Sequence, residues 1–260
     1  MSMLYPIGIQ NFEEIRKGGY AYVDKTELIY KLVKSGKYYF LSRPRRFGKS
    51  LLISTLESYF CGRKDLFEGL AMGKLEKDWA EYPVFHLDLN TRKYEDKYSL
   101  EGILNQYLEK WEQKYGDEKK NRAPEERFTY VIERAAEKTG RNVVVLIDEY
   151  DKPMLQAIGN DALMTEYRNT LKAFYGVLKS CDRYLRFALL TGVTKFSKVS
   201  VFSDLNNLDD ISLLQDYNNL CGITECELHD GFRDGILALA EKNGISYDEA
   251  CIRLKEWYDG

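Results

Sequence analysis

The sequence predicts an α/β fold in which a parallel sheet carries helices on both faces, and three observations lead there. Strand-like apolar runs alternate along the chain with amphipathic helix-like stretches. One run, Val143-Val144-Val145-Leu146-Ile147, is continuous and β-branched, as suits a strand buried on both sides. A Gly48-Lys49-Ser50 triplet follows the apolar run Tyr38-Tyr39-Phe40-Leu41 and opens the helical pattern Leu51-Leu52-Ile53-Ser54-Thr55-Leu56. Connections between the strands are expected to be right-handed crossovers.

In chain order, Asp24 precedes Lys25-Thr26-Glu27 and the apolar positions Leu28, Ile29, Leu32 and Val33. Asp24 and Glu27 therefore read as the capping pair of a helix that Gly36 ends. The first strand and the helix after Ser50 follow. Pro83 opens a second strand through Leu89, with His86 alternating inside it as a core or edge histidine. A helix starting near Ser99 carries Leu100, Ile103, Leu104, Tyr107, Leu108 and Trp111 on one stripe. The charged stretch from Tyr115 to Arg122 loops over the surface. Pro124 then suits the first turn of a helix whose Phe128, Val131, Ile132 and Ala135 face inward, with Gly140 past its end. After the run at Val143 comes an amphipathic pattern from Asp161 that buries Leu163, Tyr167, Leu171, Phe174, Tyr175 and Leu178. The strand Leu185 to Leu190 is next, and a shorter one near Ile211 to Leu214 completes the sheet. Glu227 to Lys242 and Tyr247 to Tyr258 read as two helices of a small lid. The division expected is a nucleotide-binding core over residues 1–215 and the start of a helical lid over 216–260.

At 260 residues the chain suits one large α/β domain with a small appendage. A net charge of −3 gives no overall basic bias toward nucleic acid. The five cysteines, Cys61, Cys181, Cys221, Cys226 and Cys251, are scattered without paired spacing and read as structural thiols of a reducing compartment. Two histidines exclude a histidine-rich metal centre. No segment approaches the roughly 20 apolar residues of a membrane helix, and no basic-then-apolar leader opens the chain. A soluble cytoplasmic protein without membrane contact is expected. No internal repeat or low-complexity segment occurs, and the abrupt finish at Trp257-Tyr258-Asp259-Gly260 reads as an element cut short, with a natural polypeptide that continues.

Chemistry concentrates at three points. Amides at a helix N-terminus point at a polyphosphate, Lys49 reaches β- and γ-phosphates, and the Ser50 hydroxyl suits Mg²⁺. The general motif wants glycine five residues before Gly48, where this chain has Arg43. Taken alone, the triplet equally fits an ordinary loop with an exposed lysine. The pair Asp148-Glu149 at the end of the buried run changes that balance, because open α/β sheets bind ligands outside the carboxyl ends of their strands. Asp148 would hold Mg²⁺ directly or through water, and Glu149 would polarise an attacking water; the alternative is a solvated turn. The segment Thr191-Gly192-Val193-Thr194-Lys195 brings a hydroxyl and a cation to the same sheet edge, as a γ-phosphate sensor or as a polar turn.

Together with Tyr20-Ala21-Tyr22-Val23-Asp24-Lys25-Thr26, Arg43-Pro44-Arg45-Arg46-Phe47-Gly48-Lys49-Ser50 and Val145-Leu146-Ile147-Asp148-Glu149-Tyr150-Asp151, these residues form a recognisable set. The chain resembles the AAA-ATPase-like family of bacterial and archaeal P-loop proteins, often joined to a C-terminal nuclease-like domain of the PD-(D/E)-x-K type. Further matches are Thr191 to Ser197, Phe202-Ser203-Asp204-Leu205-Asn206-Asn207-Leu208 and the closing Trp257 to Gly260. In that family an arginine-rich loop stands where the first glycine would be. The resemblance implies an AAA-like core with ATP and Mg²⁺, Lys49 and Ser50 on phosphate and metal, Asp148 on the metal side and Glu149 as base. The nuclease-like portion has no counterpart here.

The candidate nucleotide-binding set is Arg45, Arg46, Phe47, Gly48, Lys49, Ser50 and Leu51. Candidate catalytic residues are Glu149, Lys49, Thr191 and Lys195, with Lys195 the cation supplied in cis, and candidate metal ligands are Ser50 and Asp148. Arg45 and Arg46 either touch phosphate or pair with carboxylates and solvent. The reading that follows is a Mg²⁺-dependent ATPase, a hydrolase whose turnover drives a conformational change in a partner or attached domain. Alternatives are a nucleotide-dependent switch with negligible turnover, and a subunit of a nucleic-acid-processing protein that rests on the family's nuclease-like domain. The acid pair favours water over the acceptor of a small-molecule kinase. An oligomer is compatible with all of these.

Overall fold

The computed structural model describes residues 4–195, 201, 202, 205 and 207–258. Phe196, Ser197, Ser203, Asp204, Asn206, Asp259 and Gly260, which belong to the motifs above, lie outside the described residues. Among those described, β1 (Tyr38–Ser42), β2 (Val84–Asp88), β3 (Val143–Asp148), β4 (Leu185–Gly192) and β5 (Asp209–Asp210) form one parallel sheet in the order β2-β3-β4-β1-β5. The helices are α1 (Phe12–Lys17), α2 (Thr26–Ser35), α3 (Lys49–Phe60), α4 (Ala71–Leu75), α5 (Lys97–Tyr115), α6 (Pro124–Thr139), α7 (Lys152–Gln156) and α8 (Asp161–Ser180), followed by α9 (Glu225–Gly231), α10 (Arg233–Asn243) and α11 (Tyr247–Tyr258). None of them is long and apolar enough to cross a membrane. The five cysteines are all free.

Because helices cover both faces of the sheet, successive strand residues enter opposite cores. Phe40, Val145, Ile147, Ala188 and Leu190 pack against Leu104 of α5, Phe128 and Ile132 of α6 and Phe174 of α8. Tyr39, Leu41, Val144, Leu146, Phe187 and Leu189 pack on the other side against Leu32 of α2 and Ile53 and Leu56 of α3. Aromatic stacking closes the first core, with Phe128 and Phe174 ring centroids 4.4 Å apart and Phe85 and Trp111 4.6 Å apart.

Helix ends follow local chemistry. Asp96 caps α5, its carboxylate accepting from Tyr98 N at 2.9 Å and Ser99 Oγ at 2.8 Å. Pro124 stands in the first turn of α6, and Gly140 closes it in the left-handed region at φ +63°. Asn160 Oδ1 accepts from Leu163 N at 3.1 Å to start α8.

Three expectations are corrected. Asp24 and Glu27 do not form a capping pair: Asp24 accepts from Thr26 N at 2.9 Å and Thr26 Oγ1 at 2.6 Å, and from Ala71 N of α4 at 2.8 Å. It ties two helix starts together. The last strand is Asp209–Asp210, beside β1, and Ile211–Leu213 instead forms a 3₁₀ turn that the Asp210 carboxylate initiates by accepting from Ser212 N at 3.0 Å. The lid helix from Glu227 is split at Phe232, whose ring stacks on Tyr5 at 6.0 Å. His86, read as a core or edge histidine, pairs with Glu57 at 3.0 Å. Burial lowers its pKa, but the bond and charge of Glu57 outweigh burial and leave it raised.

A buried ion pair joins α5 to α6: Arg127 donates to both oxygens of Glu112, at 2.8 and 2.6 Å, and to Asn105 at 2.6 Å. Arg127→Met strands a buried carboxylate and is expected to cost about 3 kcal/mol. Joint replacement of Arg127 and Glu112 by Met should cost much less, as read by urea midpoints at constant slope.

Candidate functional site

The loop between β1 and α3 is shaped by two left-handed residues, Arg46 at φ +65° and Gly48 at φ +84°. A side chain at Gly48 would meet no atom within 4 Å, so its requirement is conformational. Helix α3 opens without a side-chain cap, which leaves its first-turn amides for an anion. Ser50 and Leu51 lie half-buried in that turn, whereas Arg45, Arg46 and Phe47 are exposed. Arg43 is an anchor: its amide donates to Gly192 O at 3.1 Å and its guanidinium to the carbonyls of Ser212, Ser42 and Tyr217. That is why a bulky residue is accommodated where the general motif has glycine.

Lys49 is 4 % exposed. Its ammonium donates to the carbonyls of Arg43 and Pro44 at 3.1 Å each and lies 3.6 Å from Glu149 Oε1. The approach is notable because β4 separates β1 from β3, so the two backbones stand roughly two strand spacings, about 10 Å, apart.

At the end of β3, Asp148 accepts from Thr191 Oγ1 at 2.5 Å and from Glu149 N at 3.1 Å. Both bonds fall on Oδ1; Oδ2 accepts none among the described residues. Glu149 itself is left-handed, at φ +56°. Burial raises its pKa, the Lys49 charge opposes this, and the charges of Asp148 and Asp151 add to it. Thr191, expected at the γ-phosphate, is fully buried, so its hydroxyl stands behind Asp148 and orients that carboxylate. Lys195 does lie beyond β4, but its ammonium is held 3.2 Å from the Asp210 carboxylate.

By the sheet order, a loop that opens a helix and a lysine reaching an acid turn two strands away meet at one edge of the sheet. The profile of the predicted AAA-ATPase family matches residues 6–202. The chain belongs to the predicted AAA-ATPase family. A curated relative, an uncharacterized protein in the vnfD 5' region of Azotobacter chroococcum mcd 1, is 43% identical across 98% of this chain and 48% of its own length. The chain thus spans about half the length of that curated relative. No solved structure matches it.

In this AAA-ATPase family member a cavity of about 370 Å³ adjoins the loop, walled by Tyr22, Val23, Phe47, Leu51, Leu220 and Phe232 among others. Lys25 also lines it and pairs with Glu227 of α9 at 2.5 and 2.6 Å. Cys221 on the same wall has its thiol pushed up to about 11 by burial, so it is an inert neutral group there. Among the described residues no cluster of histidine, cysteine and carboxylate side chains makes a metal site from protein alone. Ser50 and Asp148 nonetheless fit the sparse oxygen set of Mg²⁺ that arrives with phosphate.

Several of these features have little local signal. The cavity wall comes from residues 5–7, 21–23 and 220–223, far apart in sequence. The pairs Arg43 with Ser212 and Lys25 with Glu227 are also long-range. Asp151 was visible only as the last acid of the Asp-Glu-Tyr-Asp run.

A raised Glu149 carboxyl favours folding while protonated and loses that contribution as pH rises through its folded pKa. Without ligand, Glu149→Gln should therefore melt above wild type at pH 7, the gap closing below about pH 4. A wild type more stable at pH 7 would show that the Lys49 pairing outweighs burial.

Proposed function

We propose that this chain binds ATP with Mg²⁺ and hydrolyses it, coupling turnover to a conformational change in a partner or further domain. The observation that carries this reading is the 3.6 Å approach of Lys49 to Glu149 in front of the uncapped start of α3. A triphosphate laid along the α3 amides would bring its far end to Lys49 and Glu149, with Lys49 turning from that contact onto phosphate. The apolar cavity beside Phe47 and Leu51 has the size and lining of a base site.

In this reading Lys49 exchanges the carbonyls of Arg43 and Pro44 for β- and γ-phosphate oxygens. Ser50 and Asp148 hold the metal, which supplies neutralising charge to the phosphates. Thr191 keeps Asp148 in one orientation. Glu149 orients water in line with the γ-phosphate and accepts its proton, and a carboxyl raised by burial is the stronger base. Arg45 and Arg46, exposed at the rim, reach phosphate from the open side. Lys195 serves as a cation only after leaving Asp210. Residues 216–260 act as a lid, joined to the cavity by Phe232 and by the Lys25 to Glu227 pair. The free thiols suit the reducing cytoplasm.

Single-turnover hydrolysis and nucleotide titration test this together. Lys49→Ala should lose binding by at least about 100-fold, and Glu149→Gln should bind like wild type while turnover falls roughly 10²- to 10⁴-fold. Equal binding by all three proteins, or binding by none, overturns the assignment; tight wild-type binding without turnover makes the chain a nucleotide-dependent switch.

A further inference from the structure

Asp151 is a fully buried carboxylate that the chemistry above does not use. It lies two residues beyond Glu149 and crosses to the tip of β4. There it accepts from Val193 N at 3.3 and 3.1 Å, from Thr194 N at 2.7 Å and from Thr194 Oγ1 at 2.8 Å. Among the described residues each of these bonds is donated to the Asp151 carboxylate, an arrangement that suits an acceptor-only side chain. A neutral amide would turn its own donors toward one of them. Burying a charge is costly unless it is fully hydrogen-bonded, and here the bonds all go to a single turn.

That turn is the middle piece of the site. On one side the Gly192 carbonyl accepts from Arg43 N at 3.1 Å and the Val193 carbonyl from Ser42 Oγ at 3.0 Å, which joins it to the phosphate loop. On the other, Tyr150 N donates to Thr191 O at 2.9 Å and Tyr150 Oη to Thr194 O at 2.8 Å, which joins it to the acid turn. Packing at the junction is close: a Cβ on Gly192 would overlap the Tyr150 ring and come within 2.8 Å of Asp151 Oδ1. Glu149 sits in the left-handed region immediately before these bonds, a conformation that persists for a non-glycine residue only where its surroundings over-determine it.

We infer that Asp151, through Thr194, is a positioning residue that clamps the acid turn to the tip of β4 and so sets where Glu149 stands relative to Lys49. The inference rests on the proposed hydrolysis. Asp151 touches no reacting atom; it acts by holding Glu149 in its strained conformation and the 193–195 turn in register with the phosphate loop.

The test compares Thr194→Val, Thr194→Ser and Asp151→Asn with wild type, using a fluorescent ATP analogue for affinity, single-turnover hydrolysis for rate, and thermal unfolding. Misplacement by about 1 Å is enough to slow chemistry by up to roughly 100-fold. Thr194→Val and Asp151→Asn should slow hydrolysis by about 10- to 100-fold with affinity within about twofold of wild type, and Thr194→Ser should hydrolyse within about twofold of wild type. Wild-type turnover that neither Thr194→Val nor Asp151→Asn reduces overturns the clamp alone. Rate, affinity and melting temperature falling together mark a structural role and also overturn it. A wild type that neither binds nor hydrolyses overturns the proposed function and the clamp with it.

Discussion

Lys49 stands at a position only 4 % exposed, and much of the local architecture supplies partners for its Nζ. A buried cation needs acceptors on every side or it destabilises the fold by several kcal/mol. Two come from the loop it closes, the carbonyls of Arg43 and Pro44, and a third from Glu149 across the β4 tip. Loop carbonyls can converge on one point only if the backbone turns sharply, which Arg46 and Gly48 do in the left-handed region. The loop can hold that shape only if its base is pinned, which Arg43 does by reaching Ser212 and Tyr217. Those two residues follow β5, so even a strand of two residues contributes to where the lysine stands.

Much of the fold was legible because it rests on local or short-range chemistry. The strand Val143–Asp148 announced itself by an unbroken apolar run, since both its faces are covered. Pro124 and Gly140 mark the ends of α6 by backbone preference, and the apolar stripe marks α5 by periodicity. The loop and acid turn were found because Gly48-Lys49-Ser50 and Asp148-Glu149 fall at strand ends. What escaped depends on partners distant in sequence. Asp24 looked like a cap for the helix beside it, yet it also serves Ala71. Strand β5 has too few residues to show any period, and the break at Phe232 depends on Tyr5, at the other end of the chain. A place at a strand end fits Thr191 to a γ-phosphate sensor or to a polar turn; its burial behind Asp148 depends on the β3 to β4 pairing, which sequence spacing alone does not give.

The cavity beside the phosphate loop is also walled by Phe232, between two of the helices that follow the sheet. Those helices keep a small apolar cluster of their own, built on Ile236, Ala240 and Ala250, while α9 meets the cavity wall through Glu227 and Lys25. Glu227 also caps the start of its own helix by accepting from Thr224 N at 2.8 Å, so one carboxylate serves both Lys25 and that helix start. Large apolar side chains such as Trp257 and Ile252 remain on its surface. In the proposed function this is the route by which an occupied cavity reorients residues 216–260.

The most direct test of the account is a crystal structure of the chain with a non-hydrolysable ATP analogue and Mg²⁺. The account predicts that Lys49 Nζ leaves the carbonyls of Arg43 and Pro44 for phosphate oxygens, with the metal beside Ser50 and Asp148 and the base in the cavity lined by Tyr22 and Phe47. A nucleotide bound elsewhere, with Lys49 still on those carbonyls, would contradict it.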